Sequence, residues 1–260
     1  MSVTVLMLMI LEIILMIGIP IALAFVLKRR WSLPWRLAMA GAATFIASQI
    51  LHIPANSLLG SVLQMQTQPL IVQAIILGLS AGIFEEVARY VVYRVWQKDA
   101  RSWRQSVFFG LGHGGIEAIL LGLVVALTLV NVIVITTAED PSALGLPTET
   151  LEQTLGQVKD FWSMPLYMPA LAVAERLMAL VLHISLSTLV VLCFHRSTLW
   201  PLFAAILWHA LADTAAFYTA QRWGNLAAEG ALLVITLGSI GLLWLTHRAL
   251  PEVRDKAAEA

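Results

Sequence analysis

Long apolar runs, separated by short polar turns, fill almost the whole chain. Seven of them reach the length an α-helix needs to cross a bilayer, about 20 residues. They cover roughly 3–27, 35–59, 69–95, 105–135, 169–194, 199–220 and 227–245. The pattern predicts an all-α, polytopic transmembrane helix bundle of about seven spans. The fourth run is too long for one simple crossing, so it should tilt or extend beyond the bilayer. No internal repeat or low-complexity tract interrupts the runs, so residues 1–260 read as a single transmembrane domain.

The first run contains Ala22-Leu23-Ala24, a weak likeness to a signal-peptidase site. No positive residue precedes it, however, and Lys28-Arg29-Arg30 follows directly. A signal peptide has the opposite charge order, so this run is expected to stay as the first helix.

Cations between the runs are distributed unevenly. One side receives Lys28, Arg29, Arg30, Arg36, Arg94, Lys98, Arg101, Arg104, Arg196, Arg248, Arg254 and Lys256. The other receives only Lys159 and Arg222. The positive-inside rule makes the first side cytoplasmic. The N-terminus is then outside, and residues 246–260 form a cytoplasmic tail. Residues 136–168 form an external loop carrying Glu139, Asp140, Glu149, Glu152 and Asp160. That loop reads as a solvated connector, with a lid or a short amphipathic helix as the alternatives.

Composition narrows the class further. The chain is 59% hydrophobic and only 12% charged, where a soluble domain is about half apolar and a quarter charged. Lipid is therefore the expected surrounding. The net charge is zero, which supplies no basic field for nucleic acid. The single cysteine, Cys193, excludes an internal disulfide framework and a Cys-rich metal site, and reads as a packing residue.

Against this apolar background the ionisable residues stand out. A charge at the centre of a transmembrane helix costs about 2.5–3.5 kcal/mol on insertion scales, and such residues mark working sites. At 1.5 Å per helical residue, Glu86, His113 and His209 each lie roughly 12–13 Å from the basic face. Glu117, His183 and Asp213 come out near 20 Å. The helices alternate in direction, yet these groups converge in one layer.

Glu85-Glu86-Val87-Ala88-Arg89 puts two carboxylates within reach of one guanidinium, at spacings of four and three. Adjacent carboxylates in a low-dielectric site do not both ionise cheaply, which suits a general acid or base. The plainer reading is a buried ion pair that fixes helix packing. His113 and Glu117 lie one turn apart on a common face, in a stretch with glycines at 110, 112, 114 and 115. His209 and Asp213 repeat that spacing, and an Asp one turn away can hold an imidazole's tautomer and orientation. Structural hydrogen bonds are the alternative for both pairs.

Other polar residues carry less. Arg176, His183 and Ser187 share a face, with Glu175-Arg176 read as a structural ion pair and His183 as either ligand or core histidine. Gln49, His52 and Asn56 form a stripe on the second run, suited to helix–helix hydrogen bonding, with a substrate path as the alternative. Glu12 stands alone in the first run. Gly78-Leu79-Ser80-Ala81-Gly82 matches G-x-S-x-G, but inside a helix the two glycines read as packing residues and Ser80 is no nucleophile elbow. No His-Glu-x-x-His is present.

Glu85-Glu86-x-x-Arg89, Phe109-x-x-x-His113 and His209-x-x-x-Asp213, in that order on successive helices, resemble the CAAX-protease and bacteriocin-processing superfamily of intramembrane proteases. Residues 110–119, together with the His183 helix, are more specifically similar to the YhfC-type branch of intramembrane metalloproteases. Two departures stand out. The CAAX pattern is Glu-Glu-x-x-x-Arg, where Tyr90 holds the later position here, and it often ends in His-x-x-x-Asn, where Asp213 stands here. They bear on the substrate, not on the hydrolytic layout.

The resemblance implies a peptidase in a bacterial cell membrane, acting on a peptide or membrane-protein substrate. Glu85 or Glu86 would activate water. His113 and His209 would stabilise the oxyanion or hold a metal that does so. Asp213 would orient His209, Glu117 would support His113, and Arg89 would hold the carboxylate pair. His183 would complete a three-histidine set with His113 and His209, and three imidazoles plus water suit a catalytic Zn²⁺. A glutamate–histidine mechanism without metal fits the same residues. A proton-coupled transporter and a non-catalytic scaffold are the competing classes. The missing inverted repeat argues against the first, and the common depth argues against the second.

Overall fold

The structure, a computed structural model, describes residues 1–140, 142, 145 and 147–252. The cations Arg254 and Lys256 and the end of the 246–260 tail lie outside the described residues. The described chain is helical, with no strand. The helices are α1 (Val3–Trp31), α2 (Trp35–Val62), α3 (Leu70–Val95), α4 (Trp103–Thr137), α5 (Thr148–Trp162), α6 (Met168–Arg196), α7 (Trp200–Trp223) and α8 (Asn225–Ala249). A short 3-10 turn, Met65–Thr67, joins α2 to α3. Seven helices, all but α5, are long and apolar enough to cross a membrane. The chain is thus an integral membrane protein.

Helix ends follow local chemistry. Ser2 caps α1, accepting from the Val5 N–H at 3.4 Å, and Lys28, Arg29 and Arg30 complement the dipole at its C-terminus. Ser102 and Gln105 form a capping box at the start of α4. Helix α4 has 35 residues, or about 52 Å of axis, well beyond the ~30 Å apolar core of a bilayer.

The basic ends meet. Trp103 at the start of α4 donates its backbone N–H to Pro251 just after α8, and Arg104 pairs with Glu252 at 2.9 Å. Trp31 at the end of α1 lies edge-on to Trp103, 6.0 Å between ring centroids. The cation clusters of three helix ends therefore share one end of the bundle.

Helix α6 is the inner element: about two-thirds of its apolar stretch is buried, against less than half in every other span. It touches α1, α3, α4, α7 and α8, while α3 packs mainly on α7 and α2 mainly on α4. Small residues set those two crossings. Gly41 and Gly112 bring α2 and α4 together so tightly that a Cβ on either would collide with the other's backbone, at Phe109 or Ala38. Gly78 and Gly82 do the same for α3 against the backbone of Ala210 and Ile206 on α7.

Within the 136–168 connection the structure has a short helix, α5, one of the two alternatives to the plain solvated connector expected first. Leu151, Leu155, Val158 and Trp162 recur at helical spacing and form an apolar stripe. Phe161, Trp162 and Met164 pack against a cluster of Val5, Met9 and Leu129, and the Trp162 indole N–H donates to Thr136 Oγ1 at 2.7 Å. Phe161 and Trp162 thus pin the C-terminal end of α5 to α1 and α4.

Candidate active site

The α3–α7 and α2–α4 crossings, with α6 between them, bring the polar layer together. Glu85, Glu86 and Arg89 come from α3, and His113 and Glu117 from α4. His183 comes from α6, and His209 and Asp213 from α7. Glu86, Arg89 and His113 are completely buried, and His209 and His183 nearly so. His183 is central, with ring centroids 5.0 Å from His113 and 5.3 Å from His209.

The two adjacent glutamates take different partners. Arg89 donates from one terminal nitrogen to both Glu86 oxygens, at 2.7 and 2.5 Å. Glu86 Oε1 also lies 2.8 Å from His209 Nδ1. Arg89 does not reach Glu85, contrary to the expectation that it holds the pair, because successive residues project about 100° apart around a helix. Glu85 instead faces His113, with Oε2 3.0 Å from His113 Nε2 and 3.9 Å from His183 Nδ1. Its Oε1 accepts from the Gln49 amide at 2.9 Å.

Charge accounting singles out Glu85. A buried charge needs a partner. Arg89 neutralises Glu86, and Arg176 neutralises Glu117 across a 2.7 Å contact. Glu175, which also contacts Arg176, and Asp213 are both about two-fifths exposed. Among the described residues, Glu85 is the buried site carboxylate left with no arginine or lysine. Two imidazoles face it in place of one.

That set is compatible with a metal ion. One ligand atom each from Glu85, His113 and His183 lies within 4.8 Å of the others. Tetrahedral ligands at about 2.1 Å from zinc stand about 3.4 Å apart, and the 3.0 and 3.9 Å separations around Glu85 Oε2 bracket that value. Two histidines and a glutamate are an established catalytic zinc donor set that leaves a position open.

The surroundings of His183 agree. The second terminal nitrogen of Arg89, 3.3 Å from His183 Nδ1, can only donate, so Nδ1 carries a lone pair, which a bound metal would take in place of the Arg89 hydrogen bond. The proton is then on Nε2, which lies 2.7 Å from Glu117 Oε2. A ligating histidine whose other nitrogen faces a carboxylate is the usual outer arrangement of a metal site. Glu117 therefore serves His183 rather than the His113 expected from its i, i+4 spacing. Its α4 position, one turn further along, brings it level with His183 on the neighbouring α6.

His209 stands apart from this donor set. Its Nδ1 faces Glu86 and its Nε2 lies 3.6 Å from Asp213 Oδ2. Of the three histidines expected as ligands, His113 and His183 are thus in the metal-compatible group, and His209 faces carboxylates. Ser80 donates to Asn56 and touches none of these residues. Two participants were not singled out as site residues by the sequence. Arg176 anchors Glu117, a link foreshadowed only by the face it shares with His183. Gln49 binds Glu85, a link foreshadowed only by the polar stripe on α2.

The cluster opens on a cavity of about 100 Å³, lined by Glu85, Glu117, His183, His209 and Asp213 together with Leu232, Ile235 and Thr236 of α8. Glu86 lies behind its wall. A second cavity of about 310 Å³ shares Glu175, Ala216 and Leu232 with the first and continues between α6, α7 and α8 to Met168 and Asn225. The two form one cleft leading toward the end of the bundle opposite the cation clusters.

The family of YhfC intramembrane metalloproteases matches residues 14–235, and the chain belongs to that family. It is 29% identical over 241 residues to the uncharacterized membrane protein YhfC of Bacillus subtilis (strain 168), an alignment covering 87% of this chain and 90% of the relative. No solved structure matches significantly.

Proposed function

We propose that this member of the YhfC intramembrane metalloprotease family hydrolyses a peptide bond within or beside the bilayer, with Glu85, His113 and His183 holding a zinc ion. The observation that carries this is the buried Glu85 carboxylate, flanked by two imidazoles and lacking a cationic side chain. A zinc ion bound there would supply Lewis-acid polarisation of a water and of the scissile carbonyl.

The chain's own groups divide the remaining work. Asp213, half exposed to the cavity, is placed to take the proton of the attacking water on a carboxylate oxygen. His209 Nε2 also faces that cavity; with Nδ1–H donated to the Glu86 carboxylate, His209 acts as the imidazolium and donates from Nε2–H to the developing oxyanion. Asp213 then returns its proton to the leaving amine. Glu86, held by Arg89, fixes His209 from behind through Nδ1, and Arg176–Glu117 fixes His183. The substrate is a polypeptide whose extended segment lies in the α6–α7–α8 cleft, with lipid around the outer helix faces. The basic end of the bundle is cytoplasmic by its charge, which places the cleft mouth on the outer side.

The test is metal content of detergent-purified protein beside cleavage of a transmembrane peptide library. Wild type should hold near-stoichiometric zinc and cleave. Glu85→Gln, His113→Ala and His183→Ala should lose both properties, and Asp213→Asn should keep zinc and lose cleavage. Folded wild type that takes up no divalent metal would overturn this proposal. Cleavage that survived in that sample would point instead to a glutamate–histidine peptidase.

A further inference from the structure

Glu85 sits at the end of a hydrogen-bonded chain that leaves the site along the α2–α3 interface. The first link is Gln49 Nε2 to Glu85 Oε1 at 2.9 Å. His52 Nδ1 lies 3.3 Å from Gln49 Oε1, Asn56 Nδ2 lies 2.9 Å from His52 Nε2, and Ser80 Oγ donates to Asn56 Oδ1 at 2.6 Å. Residues 49, 52 and 56 fall on one face of α2 by their spacing of three and four.

The direction of every link follows from donor chemistry. An amide NH₂ only donates, so Asn56 makes His52 Nε2 an acceptor and places the ring proton on Nδ1. The Gln49 carbonyl oxygen only accepts, so it takes that proton's hydrogen bond. Gln49 is then left with its NH₂ pointing at Glu85. All four bonds donate toward the carboxylate, so each polarises the next in the same sense. Reversing the Gln49 amide would set two acceptors against each other at Glu85 and two donors against each other at His52. The His52 ring is itself held by stacking on Phe84, 5.4 Å between centroids and 26° between planes.

We propose that Gln49 is a positioning residue for the metal site, resting on the metallopeptidase reading above. It holds Glu85 Oε1 away from His113 and His183, which leaves Oε2 as the single oxygen presented to the ion. His52, Asn56 and Ser80 hold the Gln49 amide in its donating orientation. Hydrogen bonds to a ligating carboxylate raise metal affinity, and losing an outer partner of this kind typically lowers it about 10–100-fold.

The decisive experiment is zinc affinity, measured by competition with a chelator of known strength on detergent-purified protein. Thermal unfolding of the metal-free form serves as the folding control. Gln49→Leu keeps the bulk and removes the donor, and should weaken zinc binding about 10–100-fold. His52→Phe keeps a ring against Phe84 but removes the Nδ1 proton, and should weaken binding less than Gln49→Leu does. Wild-type affinity in a folded Gln49→Leu protein would overturn the positioning role while leaving the metal site intact. If Gln49→Leu fails to fold, unchanged affinity in His52→Phe overturns the role and weakened affinity supports it. Absence of zinc binding in folded wild type would overturn the metal reading itself.

Discussion

Arg89→Met offers the sharpest check on the buried charge arrangement. Arg89 and Glu86 are both fully inaccessible, and the guanidinium contacts both carboxylate oxygens at 2.7 and 2.5 Å. Methionine follows the aliphatic stem but removes the charge. Glu86 is then left buried with only His209 against it, at 2.8 Å. Stranding a buried ion in this way costs about 3–5 kcal/mol. At roughly 2–4 °C per kcal/mol for a chain near this size, the thermal midpoint should fall by about 6–20 °C. The double variant Arg89→Met/Glu86→Gln removes the stranded charge and keeps the side-chain shape. It should recover much of the loss and show a coupling of about 0.5–3 kcal/mol between the two sites. Unfolding midpoints in detergent for wild type, both single variants and the double variant complete the cycle. A double variant no more stable than the sum of its parts, or an Arg89→Met protein with an unchanged midpoint, would refute the assignment.

Three further expectations test separate parts of the site. Glu117→Gln keeps an acceptor near His183 but removes the charge paired with Arg176, so zinc affinity in chelator competition should fall about 10–100-fold. Asp213→Asn should lower turnover about 10²–10⁴-fold with metal content unchanged, since it removes only the proton acceptor facing the cavity. Loss of metal together with turnover would assign Asp213 to binding. Gly112→Leu forces a side chain into the backbone of Ala38, so the variant should give little folded, detergent-stable protein, which size-exclusion chromatography reads directly. A monodisperse Gly112→Leu sample with wild-type stability would contradict the α2–α4 crossing.

Much of the architecture was legible without coordinates. Each apolar run is long enough to span, and lipid leaves a backbone little choice but to satisfy its hydrogen bonds within a helix, so composition and run length sufficed for seven spans. The polar layer was legible for a related reason. A buried ion in hydrocarbon is costly, and that cost makes Glu85, Glu86, His113, His183 and His209 conspicuous. Helix α5, named only as an alternative for its loop, was less evident, because 15 residues are marginal for an isolated helix and the packing of Phe161 and Trp162 on α1 and α4 is a tertiary contact.

Partner choice inside the layer depended on tertiary structure. Spacing placed Glu85 and Glu86 equally within reach of Arg89, and Glu117 within reach of His113. The rotation of each helix about its axis, set by the glycine contacts of α2 with α4 and of α3 with α7, decided otherwise. It turned Glu86 to Arg89 and His209, Glu85 to His113 and Gln49, and Glu117 to His183 and Arg176. Residue types and depth are properties of one chain segment and can be read along it. The pairing of a carboxylate with one imidazole rather than another depends on helix rotations set by packing between distant segments.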